Sequence, residues 1–222
     1  DPSPVEFRAV YAGLWLRNID GPFVVDRCSF THNATYDGAI LVGECAAEIR
    51  ECDLRENLSL DWEYGGTISV TSPNHPIEIK RCIIEENVLS GSASAIQVDV
   101  ASSLAIEDSR VANNDGGGVF IGYGFQSGGT ATVARCVVEG NGLNGLAGIH
   151  VEGAPTFLIE DTVVKGNDTQ NGGVSIGSNV DEIQINRCRI LDNRTQADGG
   201  GFASPIGVAT VRIAASHIVG NS

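Results

Sequence analysis

CSFTHN at residues 28–33 returns with variation as CDLREN at 52–57, CIIEEN at 82–87, CVVEGN at 136–141 and CRILDN at 188–193. A cysteine five residues before an asparagine marks a disulfide module or a metal site if the thiols are the repeated function. It marks architecture if they only fill a repeated slot. Extending the register decides between the two. Asn33, Asn57, Asn87, Asn114, Asn141, Asn167, Asn193 and Asn221 are spaced by 24, 30, 27, 27, 26, 26 and 28 residues. Five residues before them stand Cys28, Cys52, Cys82, Ser109, Cys136, Thr162, Cys188 and Ser216, all small. Three residues before each Asn the chain is apolar, from Phe30 and Leu54 through Val111 to Ile218, and eight before it is Val or Ile throughout. Self-similarity at this period is the mark of a repeat architecture.

Within each half-repeat the apolar positions alternate and β-branched residues dominate, which is strand periodicity. The parity breaks once between the halves, so a corner falls there. A further strand precedes each pair, usually after glycine, as in GAILV, GTISV, GVFIG, GIHVE and GVSIG. Its inward residues run from Ile40 and Val42 to Val174 and Ile176. Three short strands per turn with no helical pattern predict an all-β fold: a single-stranded parallel β-helix (solenoid) of about eight coils over residues 1–222. Equivalent residues then stack about 4.8 Å apart, coil on coil.

Six residues before each Asn the chain reads Arg27, Glu51, Arg81, Asp108, Arg135, Asp161 and Arg187, alternating in sign. Stacked in register, opposite charges attract where like charges would repel. This reads as a structural ladder. The cysteine column lies in an interior slot shared with Ser and Thr, and stacking near 4.8 Å is wider than the roughly 3.5–4.5 Å between Cβ atoms in a disulfide. Cys28, Cys52, Cys82, Cys136 and Cys188 are therefore expected to be free thiols, with Cys45 apart in a loop. The asparagines are expected to hydrogen-bond to their neighbours above and below. Asn33, Asn57, Asn167 and Asn193 also head glycosylation sequons, but coils without a sequon share the column, which favours the structural role.

The chain carries 28 acidic against 14 basic residues, a formal charge of −14, and only two lysines, Lys80 and Lys165. Such a surface repels phosphate backbones, which argues against nucleic acid as a partner. No run of residues reaches the length of a membrane span. The chain opens at Asp1, contains no Met, and ends inside a repeat, VRIAASHIVGNS, with no capping helix. These features suggest one β-helix domain taken from a longer or oligomeric protein, with self-association through the terminal coils as an alternative.

The pattern resembles the right-handed parallel β-helix of the pectate-lyase-like superfamily across essentially the whole chain. Phe30-Thr-His-Asn33 followed by Gly38-Ala39-Ile40 is similar to the FxxN and GGAI repeats of polymorphic outer-membrane and autotransporter passenger domains. The resemblance implies right-handedness, which the general bias of parallel crossovers also favours. It also implies an extracellular or cell-surface location, and a polysaccharide or cell-surface partner. The superfamily spans lyases, hydrolases, epimerases, tailspikes and non-catalytic adhesins, so fold alone selects no activity. No clustered Asp pair or DPH motif is present. The basic residue that a lyase needs is hard to find where Lys is scarce and most Arg belongs to the ladder. The expected function is a non-catalytic scaffold, adhesin-like stalk or assembly unit, with a carbohydrate-active enzyme or sugar-binding module as the alternative and a self-stacking filament subunit third.

Two places could carry chemistry. Asp61-Trp62-Glu63-Tyr64 lies where the repeat lengthens to 30 residues, and Tyr36 and Asp37 occupy the equivalent corner one coil earlier. Aromatic faces beside carboxylates suit sugar recognition, and paired carboxylates would accept Ca²⁺; no other cofactor is expected. The second place is the outward file of the Gly-led strands: Trp15, Leu41, Ser69, Gln97, Phe120, His150, Ser175 and Ala203. One step along lie Asp99, Gly122 and Glu152. Two coils apart, Asp99 and Glu152 would stand roughly 9–10 Å from each other with His150 adjacent, near the upper limit for an inverting glycosidase pair.

Overall fold

The computed structural model describes residues 13–18, 21–60, 65–72, 74–122, 124–125, 129–142, 145–195, 199–204 and 210–222. Three eight-stranded parallel sheets run the length of the molecule. Sheet A holds the Gly-led strands, from Leu14–Arg17 to Phe202–Ala203; sheet B runs from Phe23–Asp26 to Thr210–Ala214, and sheet C from Ser29–Thr31 to His217–Val219. Each coil contributes one strand to each sheet in turn. A fourth strand of only two residues follows the Asn column in some coils, for example Ala34–Thr35 and Leu58–Ser59, which the apolar pattern does not announce.

The register is in step except at one slip in sheet A, between Val98 and Val100. Phe30 pairs with Leu54, Leu54 with Ile84, Ile84 with Val111, and so on to Ile218. Inward residues of all three sheets form aliphatic stacks: Ile40, Ile49, Leu54, Ile68, Ile96 and Ile106 are fully buried. In sheet B, the small Ala131 stacks between Leu104 and Phe157 along one file.

Backbone geometry explains the broken parity. Arg27, Glu51, Arg81, Asp108, Arg135, Asp161, Arg187 and Ala215 all adopt left-handed conformations, with φ between 49° and 54°. One such residue between sheets B and C turns the chain and reverses which side chains face inward. A second left-handed residue precedes every Asn of the column, from His32 to Gly220. A non-glycine residue there costs roughly 1–2 kcal/mol, which the stacked strands on either side offset.

The Asn column is a continuous ladder. Asn57 Nδ2 donates to Asn87 Oδ1 at 2.9 Å, Asn87 to Asn114 at 2.8 Å, Asn114 to Asn141 at 3.0 Å, and Asn141 to Asn167 at 2.9 Å. Each backbone N–H donates to the same oxygen, as Asn87 N does to Asn114 Oδ1 at 3.1 Å. The other amide hydrogen reaches back to the preceding coil, as from Asn114 Nδ2 to the Ile84 carbonyl at 3.1 Å. The four sequon asparagines, Asn33, Asn57, Asn167 and Asn193, are buried in this ladder.

The close contacts of the charge ladder fall in pairs, Arg81–Glu51 at 2.9 Å, Arg135–Asp108 at 2.7 Å and Arg187–Asp161 at 2.8 Å, while Arg81 also attracts Asp108 and Arg135 attracts Asp161 on the next coil. Arg27 instead turns to Asp26 at 3.1 Å, because the Asp26 carboxylate sits beside it and also takes Arg50. The cysteine slot is a donor position. Cys52 Sγ donates to the carbonyls of Arg50 at 3.2 Å and Val25 at 3.5 Å, and Thr162 Oγ1 makes the same two contacts, to Glu160 at 2.8 Å and Val133 at 3.3 Å. The slot requires a small donor that satisfies corner carbonyls, which is why Cys alternates with Ser and Thr. All six cysteines are free; Cys28, at the sheet C edge of the described stack, is exposed, whereas Cys45, Cys52, Cys82, Cys136 and Cys188 are buried.

Candidate functional site on the outer face of sheet A

The outward file of sheet A is paired as the spacing predicts: Ser69 with Gln97, Gln97 with Phe120, Phe120 with His150, and His150 with Ser175. Along this outward file Ser69, Gln97, His150 and Ser175 are buried, Leu41 and Phe120 half-buried and Trp15 exposed. Phe120 and His150 lie ring on ring, with centroids 5.6 Å apart and planes 16° from parallel.

His150 Nε2 lies 2.7 Å from Glu152 Oε2. A carboxylate only accepts, so the hydrogen-bond network assigns the proton to Nε2 and leaves a lone pair on Nδ1. Nδ1 is buried without a hydrogen-bond partner. Burial pushes the His150 pKa below its ordinary value, and Glu152 opposes this only in part. The ring is therefore held neutral near pH 7, with its accepting nitrogen unused.

Asp99 and Glu152 belong to a neighbouring file. Gly122 N donates to Val98 O and Glu152 N to Ile121 O, both at 2.7 Å, which sets Asp99, Gly122 and Glu152 on successive coils. Two rungs separate the acids by about 9–10 Å along the stack. Asp99 occupies a bulge: the pairing with the preceding strand slips between Val98 and Val100. Burial raises its carboxyl to about 6 against the opposing bond from Gln97 Nε2 at 3.5 Å. The glycines make room, since a Cβ on Gly177 would land on the Glu152 carboxylate, and one on Gly122 would press on the Phe120 ring and the Asp99 backbone. A bulge and a stacked imidazole leave no trace in hydropathy. The signal available in sequence was position alone, which placed His150 and Glu152 on one face.

The other candidate is only partly visible. Tyr36 is exposed and Asp37 half-buried, and the Tyr36 carbonyl accepts from Ser59 Oγ at 3.0 Å. Asp61, Trp62, Glu63 and Tyr64 lie outside the described residues, and so does their expected convergence with Tyr36 and Asp37. Among the described residues no group of three or more His, Cys, Asp or Glu side chains is placed to hold a metal ion. A shallow groove of 170 Å³ between Pro22, Ala46, Glu48, Pro76 and Glu78 contains two carboxylates, each engaged by a cation, Arg50 for Glu48 and Lys80 for Glu78.

The family model for the right-handed β-helix region matches residues 5–147 and 66–222 of this chain. The chain belongs to that family, and the handedness of the coil follows from membership. No curated protein and no solved structure matches the chain at a significant level. Among the described residues no helix is long and apolar enough to cross a membrane.

Proposed function

We propose that the chain is a rigid segment of an extracellular or cell-surface β-helix, serving as a scaffold, adhesin-like stalk or assembly unit and not as a catalyst. The observation that carries this reading is the uninterrupted Asn ladder from Asn33 to Asn221. It locks the coils in register, and the outward charges of sheets B and C are largely engaged with one another. A surface organised to hold register suits a spacer that displays or connects other elements. The similarity of Phe30-Thr-His-Asn33 and Gly38-Ala39-Ile40 to passenger-domain repeats supports a surface location.

A second reading, a carbohydrate-active module of the pectate-lyase-like type, is favoured by one observation: the His150–Glu152 pair with Asp99 on the same face. A partly buried acid titrating near neutrality and a neutral histidine are the components of acid–base catalysis. A screen of the chain against a polysaccharide panel, with and without Ca²⁺, separates the two. The scaffold reading expects no new reducing ends and no unsaturated products. Turnover abolished by Glu152→Gln would overturn it.

A further inference from the structure

We infer that Cys28 and Cys52 form a binding site for a soft, two-coordinate monovalent cation of the copper(I) class. The first support is register. The corner slot carries cysteine on three successive coils, Cys28, Cys52 and Cys82, whereas Cys136 lies between Ser109 and Thr162, and Cys188 between Thr162 and Ser216. Asp53 N donates to Cys28 O and Ile83 N to Cys52 O, both at 2.9 Å, which sets the three cysteines on successive rungs. The second is orientation. Each thiol meets the carbonyl two residues before it, Cys28 Sγ that of Asp26 at 3.4 Å, Cys52 Sγ that of Arg50 at 3.2 Å and Cys82 Sγ that of Lys80 at 3.4 Å. The sulfurs therefore repeat with the coil, about 4.8 Å apart along the stack. The third is access: Cys28 is exposed, so the file opens to solvent at its first thiol, with Cys52 buried directly behind it.

Spacing selects the ligand. The rise that is too wide for a disulfide, which needs roughly 3.5–4.5 Å between Cβ atoms, suits an ion between two sulfurs. A metal–thiolate bond is about 2.3 Å, as in zinc sites, so two thiolates facing one ion from opposite sides stand about 4.6 Å apart, close to one coil repeat. Cys82 stands two repeats from Cys28, so a third thiol does not close on the same ion. Among the described residues no group of three ligands converges, which leaves a tetrahedral ion such as Zn²⁺ short of partners. Soft thiolates select Cu(I) over hard cations. Burial raises the Cys28 pKa, and contact with Cys82 raises that of Cys52, so both thiols are protonated without the ion. Binding releases both protons to solvent and leaves a bis-thiolate complex with one negative charge. It requires no turnover and is independent of the shaft reading.

The test is titration of the reduced 222-residue chain, without oxygen, with Cu(I) supplied as its acetonitrile complex in competition with the chromogenic chelator bicinchoninate. One equivalent is expected to be withheld from the chelator, and copper-edge X-ray absorption should show two sulfur ligands. Cys28→Ser and Cys52→Ser should each weaken binding about 100-fold or more, since either leaves a two-coordinate ion with one thiolate, and Cys136→Ser should leave it unchanged. Serine occupies the same slot at Ser109 and Ser216 and bonds to the same corner carbonyls, so these variants keep the donor that the fold requires. The inference is overturned if no copper is withheld, if Cys28→Ser retains binding, if Cys136→Ser weakens it as much, or if Zn²⁺ competes on equal terms. Should a serine variant fail to fold, alkylation of the exposed Cys28 in the wild-type chain decides the matter: copper retained after alkylation sinks the assignment.

Discussion

At the scale of single residues, Asp99 and His150 titrate with opposite consequences. The Asp99 carboxyl stands at about 6 in the folded chain against an ordinary 3.8. Between those values the native state holds more protons than the unfolded one, so this group's contribution to stability falls as pH rises through that window. Asp99→Asn should therefore stabilise the protein at pH 7, on the order of 2–3 kcal/mol, and have little effect at pH 3.5. His150, held below its ordinary 6.5, has the reverse sign: its contribution is present above that value and is lost as pH falls below it. Urea unfolding of wild type and Asp99→Asn at the two pH values checks both the sign and the window. The thiols give a second residue-scale expectation. Only Cys28 is exposed, so one of six cysteines should react with a thiol reagent in the native state, slowed by its raised pKa, and the other five only after unfolding.

At the scale of elements, two ladders look equally regular in sequence and differ in what they contribute. Asn114 joins three coils through buried bonds: it donates to Asn141 and Ile84, and its Oδ1 accepts from the Asn87 backbone N–H and Nδ2. Asn114→Ala leaves several buried groups unsatisfied in a low-dielectric interior and should cost about 2–4 kcal/mol. Arg81 and Glu51 are both solvent-exposed at 2.9 Å, and Arg81→Ala should cost about 0.5 kcal/mol or less. Chemical denaturation of the two variants under one set of conditions measures the contrast. Equal losses would mean that the outward charges hold the register as strongly as the Asn column.

At the scale of the whole molecule, each coil touches chiefly its two neighbours, so stability propagates along one dimension. Mid-stack strands such as Ser103–Glu107 and Thr130–Ala134 are sandwiched on both sides. The coil that ends the chain leaves Val211, Ile213, Ile218 and Val219 exposed. Hydrogen exchange should accordingly be slowest in the central coils and fastest in His217–Val219, with a graded transition between. Uniform protection along the stack would instead indicate a single cooperative unit.

Coil number, strand alternation, the Asn column and the outward file through Gln97, Phe120 and His150 were all legible in the sequence. A solenoid repeats its interactions at a fixed period, so position in the repeat is position in space. What was not legible depends on side chains meeting across coils. The same small slot reads as hydrophobic or as donor until Cys52 is seen facing two carbonyls. Alternating charges read as one ladder until Asp26 takes both Arg27 and Arg50. Asp99, His150 and Glu152 shared a face in the sequence, but their burial, the bulge at Asp99 and the unmatched Nδ1 arise only when neighbouring coils close over them. Periodicity determined where each residue stands in the coil; desolvation and partner choice, set by neighbours 23 to 30 residues away in the chain, were decided by the tertiary structure alone.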